Sequence, residues 1–290
     1  MTERLSDINA HIGGIHQLDA VVNAMRGIAA ARVQQARSQL VAVDNYAAKI
    51  ADVIGRTLNL LPPEPPDFPH RSMRPAIVLF CAEQGFAGAF SERILDSAGT
   101  DLAKSVLLLI GSRGSAVATE RGVKVDWTVA MTAHSPGIPI LADRIADALY
   151  TRIASGGIDQ LDVIFSQWHP NHGIEIVRRR LFPFDLSTFS QSPNANVPLL
   201  NISPQMLLRG LTRDYMHAQL CQAALHAFAA ENEARMEAMA AAHSQIEDQM
   251  TAMQATRRHV RQSEITAEII ELAAGETASR SESDEGDSLT

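Results

Sequence analysis

Residues 208–260, LRGLTRDYMHAQLCQAALHAFAAENEARMEAMAAAHSQIEDQMTAMQATRRHV, carry a frame of alternating three- and four-residue steps. It passes through Leu208, Leu211, Tyr215, Ala218, Gln222, Leu225, Ala229, Asn232, Met236, Met239, His243, Ile246, Met250, Met253, Arg257 and Val260. Steps of three and four keep side chains on one face of an α-helix, and so narrow a stripe is the seam of a coiled coil. Small Ala and adaptable Met let a partner helix approach closely, whereas Gln222, Asn232, His243 and Arg257 trade stability for register. No proline follows Pro204, so the spacing predicts one helix over 205–275, about 105 Å long at 1.5 Å per residue. After Val260 the apolar positions shift phase to Ile265, Ile269 and Leu272, which alters the supercoil locally. Gly275 supplies a C-terminal cap. The acidic segment 276–290 reads as a disordered tail.

The other chain end has the same texture. Leu5, Ile8, Ile12, Ile15, Leu18, Val22, Met25 and Ile28 begin a stripe that continues through Val33, Ala36, Leu40, Val43, Ala47, Ile50, Ile54 and Leu58. A long helix over 1–61 is predicted, weakened at Gly13 and Gly14 and stopped by Pro62, Pro63, Pro65, Pro66 and Pro69. Two narrow stripes, one at each end of a chain, bury their seams most directly against each other. An antiparallel coiled coil follows, projecting as one axle from whatever lies between.

Between a Pro-rich linker at 62–74 and a second linker at 184–204, the period changes. Ala76–Phe80, Val106–Ile110, Val123–Val129 and Leu161–Trp168 are apolar runs of strand length, with helical patterns such as Ile138–Ile153 between them. The short turn at His169-Pro170-Asn171-His172-Gly173 can only reverse the chain, so Ile174–Leu181 should pair antiparallel with the strand before it. Residues 75–183 thus read as a Rossmann-like α/β domain inserted between the long helices: the fold class is α/β plus long α.

Composition narrows the function. Of 290 residues 46% are hydrophobic, 5% aromatic and 20% charged, and 25 basic against 33 acidic side chains leave a net charge of −8. Nucleic-acid binding, which needs clustered cations, is disfavoured. Cys81 and Cys221 lie in apolar runs without ligand spacing, against a disulfide framework or zinc site. No run is long enough to span a membrane, and a start bearing Glu3 and Asp7 resembles neither a secretory signal nor a transit peptide. Gly85 and Gly88, like Gly111-Ser112-Arg113-Gly114, follow strands but match no phosphate-loop spacing, and read as turn glycines. His169 and His172 flank a reversal without a third ligand. Ser91, Ser112 and Ser115 lack a nucleophile elbow. No catalytic set, cofactor site or metal site emerges.

Three segments resemble one family. Asn23-Ala24-Met25-Arg26-Gly27-Ile28-Ala29-Ala30-Ala31-Arg32 is similar to the first-helix motif of ATP synthase gamma subunits. Val260-Arg261-Gln262-Ser263-Glu264-Ile265-Thr266-Ala267-Glu268-Ile269-Ile270-Glu271-Leu272-Ala273-Ala274-Gly275 resembles their C-terminal signature. Glu83-Gln84-Gly85-Phe86-Ala87-Gly88-Ala89-Phe90 is similar to the family's loop after the first strand, with acid, base and Cys altered. The resemblance covers residues 3 to 275. It implies a non-catalytic rotor shaft of an F-type ATP synthase or ATPase. Its partners would be the alpha and beta subunits, the epsilon subunit and the membrane c-ring, at the cytoplasmic side of a bacterial inner membrane, driven by proton or sodium flow. By motif position Arg261, Gln262, Thr266, Arg257, Arg258 and Arg32 would touch the beta subunits, while Met25, Gly85, Gly88, Ile265, Glu268 and Gly275 carry the motif. The altered loop and acidic tail suggest a divergent or alternate complex. A nucleotide-binding enzyme oligomerised through its terminal helices, or a coiled-coil scaffold, are the competing readings.

Overall fold

The computed structural model describes residues 5–61, 74–185, 189 and 200–287, with side chains as far as 274. The first linker and most of the second therefore lie outside the described residues, as do the side chains of the acidic segment. Five helices and five strands are the main elements. They are α1 (Leu5–Leu58), β1 (Pro75–Phe80), α2 (Phe90–Ala98), β2 (Val106–Ile110), α3 (Ser112–Glu120), β3 (Trp127–Val129), α4 (Ile138–Ala154), β4 (Gln160–His169), β5 (Gly173–Phe182) and α5 (Pro204–Asp287). The chain forms two compact units, one comprising residues up to Arg26 with those from Met239 onward, the other Gly27–Ala238.

In the first unit the terminal helices pair. Ile15, Val22, Met239 and Ile246 are buried together, with Met25, Ala242, Met250 and Met253 packed against them. His243 Nδ1 meets Asp19 Oδ1 at 2.5 Å. Residue numbers fall along α5 as they rise along α1, so the helices are antiparallel, as the two stripes require. Polar His243 sits in the seam because Asp19 reaches it, which fixes register in the way a polar seam position does. Helix α1 passes Gly13 and Gly14 without a break. Helix α5 likewise continues beyond Gly275, where a cap was expected, to Asp287. A glycine costs a helix interior only about 1 kcal/mol, and no proline follows to force a stop.

The second unit holds a five-stranded sheet in the order β3-β2-β1-β4-β5. Strand β1 pairs parallel with β2 and β4, β2 parallel with β3, and β4 antiparallel with β5. The reversal from His169 to Gly173 uses a positive φ of 71° at Gly173, a conformation that glycine adopts without strain. Alternate residues of β1 serve opposite faces. Ile77 and Leu79 pack with α2 and α3, while Val78 and Phe80 pack with α4 and α5. A strand covered on both faces needs apolar residues throughout, and this is why Ala76–Phe80 is unbroken.

Within this unit α5 departs from a two-helix seam. Leu220, Cys221, Ala223, Ala224, Ala227, Phe228 and Ala230 are buried although none belongs to the seven-residue frame. One side of the helix meets α1, where Gln222 Nε2 donates to Asp44 Oδ1 at 2.7 Å. Another meets the sheet, where His226 stacks on Phe165 with centroids 5.8 Å apart. Further along, Ile50 and Ile54 of α1 pack with Leu208, Leu211 and Tyr215 and with Phe189.

Close approach explains two glycines. A Cβ on Gly114 would stand 2.1 Å from Cys81 Cβ, and one on Gly111 would stand 2.6 Å from the carbonyl oxygens of Cys81 and Ala82. Helix α3 therefore rests directly on the end of β1. Gly114→Ala should lower stability by about 1–3 kcal/mol through overpacking, read as a reduced urea midpoint at unchanged slope. Burial also pushes the Cys81 thiol from 9.0 up to about 12. At pH 8 the folded protein should therefore resist thiol reagents at Cys81 until unfolded. The folded state holds this proton where the unfolded chain releases it, so stability should fall as pH climbs above 9; urea titrations against pH check the sign.

Candidate partner-contact surfaces

From Gln254 to Ala274 nearly every side chain of α5 is exposed, Val260 being half-buried. Ile265, Ile269, Ile270 and Leu272 are 48%, 60%, 64% and 74% exposed. At 3.6 residues per turn Arg257, Arg258, Arg261, Gln262, Ile265, Glu268, Ile269 and Leu272 share one side of the helix. Thr266 lies at the margin of that side, its hydroxyl donating to the Gln262 carbonyl at 2.8 Å. The surface changes along its length, from guanidinium and amide donors at Arg257–Gln262 to branched aliphatics at Ile265–Leu272. Such a stripe suits a partner that offers acidic or carbonyl acceptors at one level and an apolar collar at the next.

The remaining motif residues are distributed differently. Met25 packs into the buried cluster of the helix pair, so its role there is packing. At Gly275 the backbone is helical. Arg32 belongs to the other compact unit, where its Nη1 donates to Gln84 Oε1 at 3.4 Å. The structure thus groups Arg257, Arg258, Arg261, Gln262 and Thr266 and places Arg32 beside the loop after β1.

That loop lies at the carboxyl edge of the sheet, between the helix-bearing directions β1→β2 and β4, where folds of this topology take ligands. Phe86 and Gly88 both have positive φ, 61° and 58°, and Phe86 is 66% exposed. Glu83 reaches across the edge: its carboxylate accepts from the Ser112 amide at 2.9 Å, the Ser112 hydroxyl at 2.8 Å and the Met131 amide at 2.7 Å. The amides of Glu83 and Gln84 in turn donate to the two oxygens of Glu231 on α5, each at 3.2 Å. Arg235, one helical turn on, pairs with Glu231 and donates from Nε to the Gly85 carbonyl at 3.3 Å. Its Nη1 donates to Asn232 Oδ1 at 2.9 Å. Nearby, Arg37 of α1 bonds Glu233 at 2.5 Å and lies 4.1 Å above the Trp168 ring.

Sequence reasoning missed this cluster. Its signal was present, because Glu231, Glu233 and Arg235 interrupt an alanine-rich run in which Ala227, Ala229 and Ala230 are all buried. Charges inside such a run are either solvated or paired, and only the fold shows which. Of the serines after the strands, Ser91 Oγ accepts from the Ala82 amide at 3.1 Å and Ser112 bonds Glu83. His169 lies 3.8 Å from Glu175 across the hairpin.

Comparison with known proteins agrees with the geometry. A family model described as ATP synthase matches residues 4–278. The ATP synthase gamma chain of Moorella thermoacetica is 26% identical over 280 residues, covering 94% of this chain and 98% of its own. That of a Parafrankia species is 26% identical over 295 residues, with coverages of 96% and 98%. Among solved structures, a chain of the Euglena gracilis mitochondrial ATP synthase (OSCP/F1/c-ring, rotational state 3) superposes with a TM-score of 0.62 at 11% identity, covering 94% of both chains. One from the central stalk and c-ring of the Tetrahymena thermophila enzyme gives 0.55 at 17%, covering 77% of this chain and 99% of the other. With paired terminal helices, an α/β sheet between them in sequence and a family match over almost its whole length, the chain belongs to the ATP synthase family, as a gamma chain.

Proposed function

We propose that the chain works as the non-catalytic shaft of a rotary F-type ATP synthase, linking ion flow to ATP synthesis or hydrolysis at an alpha/beta hexamer. The observation that carries this reading is the graded, exposed side of α5 from Arg257 to Leu272, continuing a helix pair whose seam is buried. A shaft presents a different face to each surrounding catalytic subunit at any instant. Chemically identical sites then differ in their affinity for nucleotide, and turning the shaft cycles those affinities through differential contact energies. Arg261 and Gln262 supply donors to acceptors on the beta subunits, with Arg257, Arg258 and Thr266 beside them and Arg32 contacting at the level of the loop after β1.

The epsilon subunit and the membrane c-ring complete the partners we infer. The gamma chains of Moorella and Parafrankia are bacterial, and no described helix is long and apolar enough to cross a membrane. Both facts support a peripheral position at the cytoplasmic face of a bacterial inner membrane. The nucleotide-enzyme reading meets an obstacle in Glu231, whose carboxylate takes the loop amides that would otherwise face a phosphate. Arg261→Ala combined with Gln262→Ala should reduce ATP turnover of the assembled complex several-fold while alpha, beta and gamma chains still co-purify; unchanged turnover would remove both residues from the contact surface.

A further inference from the structure

We infer that Glu231 and Arg235 form a rotational key, locking α5 to the α/β sheet so that a twist applied to the helix is delivered to the sheet. The inference rests on the shaft reading above and assigns a positioning role to two residues outside the contact surface. Where it crosses the sheet α5 buries Ala223, Ala224, Ala227, Ala229 and Ala230 beside Leu220, Leu225 and Phe228. These apolar contacts are not directional, and they weaken gradually as a helix turns or slides.

Two charged residues interrupt that apolar face. Glu231 and Arg235 are 3% and 4% exposed, pair with each other on α5, and both bond the loop after β1. Glu231 receives the amides of Glu83 and Gln84, and Arg235 gives to the Gly85 carbonyl while pairing with Glu231. The receiving loop is itself tied down, since Glu83 bonds Ser112, the first residue of α3, and Met131, two residues beyond β3. One continuous set of directional bonds therefore runs from α5 through the loop after β1 to the segments that follow β2 and β3. Turning α5 by a single residue step, about 100°, leaves Glu231 paired with Arg235 on the same helix but carries the carboxylate away from the Glu83 and Gln84 amides and the guanidinium away from the Gly85 carbonyl, so that buried backbone groups lose their partners. Apolar contacts decline gradually with displacement, whereas this set is either engaged or broken. The carboxyl edge of the sheet, a ligand site in other proteins of this topology, here takes a side chain of its own chain as the permanent ligand.

The test uses the complete complex in vesicles, with ions pumped per ATP hydrolysed as the readout. In Glu231→Met with Arg235→Met the buried pair gives way to apolar side chains of similar length. The exchange removes the acceptor of the Glu83 and Gln84 amides, so the melting midpoint should drop by a few degrees while the assembled complex persists and the ions moved per ATP fall below half. Glu231→Gln keeps the shape of the side chain and should lower the same ratio. Normal pumping per ATP in either variant overturns the key, and so does a lowered melting midpoint with normal pumping, which would make the pair a folding element only. Failure of the shaft reading looks different: the unaltered chain would then not restore ATP-driven pumping to a complex lacking its gamma chain.

Discussion

Burial of α5 on more than one side is the constraint from which the rest of the structure follows. A helix of 84 residues cannot rely on backbone hydrogen bonds for stability and has to cover its apolar faces with something. Near its middle it finds α1 on one side and the sheet on another, and its composition answers that geometry. Alanine lets the helix approach both neighbours, while Leu220 and Phe228 fill the spaces between them. Beyond Met239 the same helix has α1 as its partner, and burial narrows to Met239 and Ile246 with their neighbours. Beyond Met253 its side chains turn to solvent. Each change in cover along the helix corresponds to a change in what the helix can do: fix a fold, pair as a coil, or meet another subunit.

Electrostatics divides along the same line. The exposed arginines of α5 sit in water, where any single ion pair is worth about 1 kcal/mol or less, so they suit contacts that are made and released. Glu231 and Arg235 are buried and bonded to backbone groups, and removing one partner of such a pair typically costs about 3–5 kcal/mol. Contacts of the first kind tolerate exchange of partners during a cycle; those of the second kind hold one geometry throughout. Asp162, also buried, repeats the second pattern on the sheet by accepting from Arg178 and Arg180 at 2.8 and 2.6 Å. There it anchors the antiparallel strand β5 to β4.

The edge of the sheet shows a familiar topology whose crevice is filled by the chain's own side chains. Parallel strands with crossover helices leave a crevice at their carboxyl edge, and backbone amides in that crevice are ready acceptor-binding groups. In this chain Gly111 and Gly114 bring α3 down on Cys81 and Ala82, and Glu83 and Glu231 consume the amides around them. The glycines that could be taken for a phosphate loop thus serve close packing, and the charges that look misplaced in an alanine run serve the loop.

What the amino-acid order decided by itself is everything that depends on periodicity: two long helices, their antiparallel pairing, the strand runs at Ala76–Phe80 and Val106–Ile110, and the reversal at His169–Gly173. These follow from which side chains can share a face, a property of spacing along one chain. Position 275 marks where such reasoning stops, because a glycine permits a cap without enforcing one. The partners of Glu231, Arg235, Arg37 and Asp162 were decided by the tertiary structure alone. Those residues meet groups far away in sequence, Glu231 some 148 positions from Glu83, and a charge bears no periodic mark of the loop or strand that will receive it.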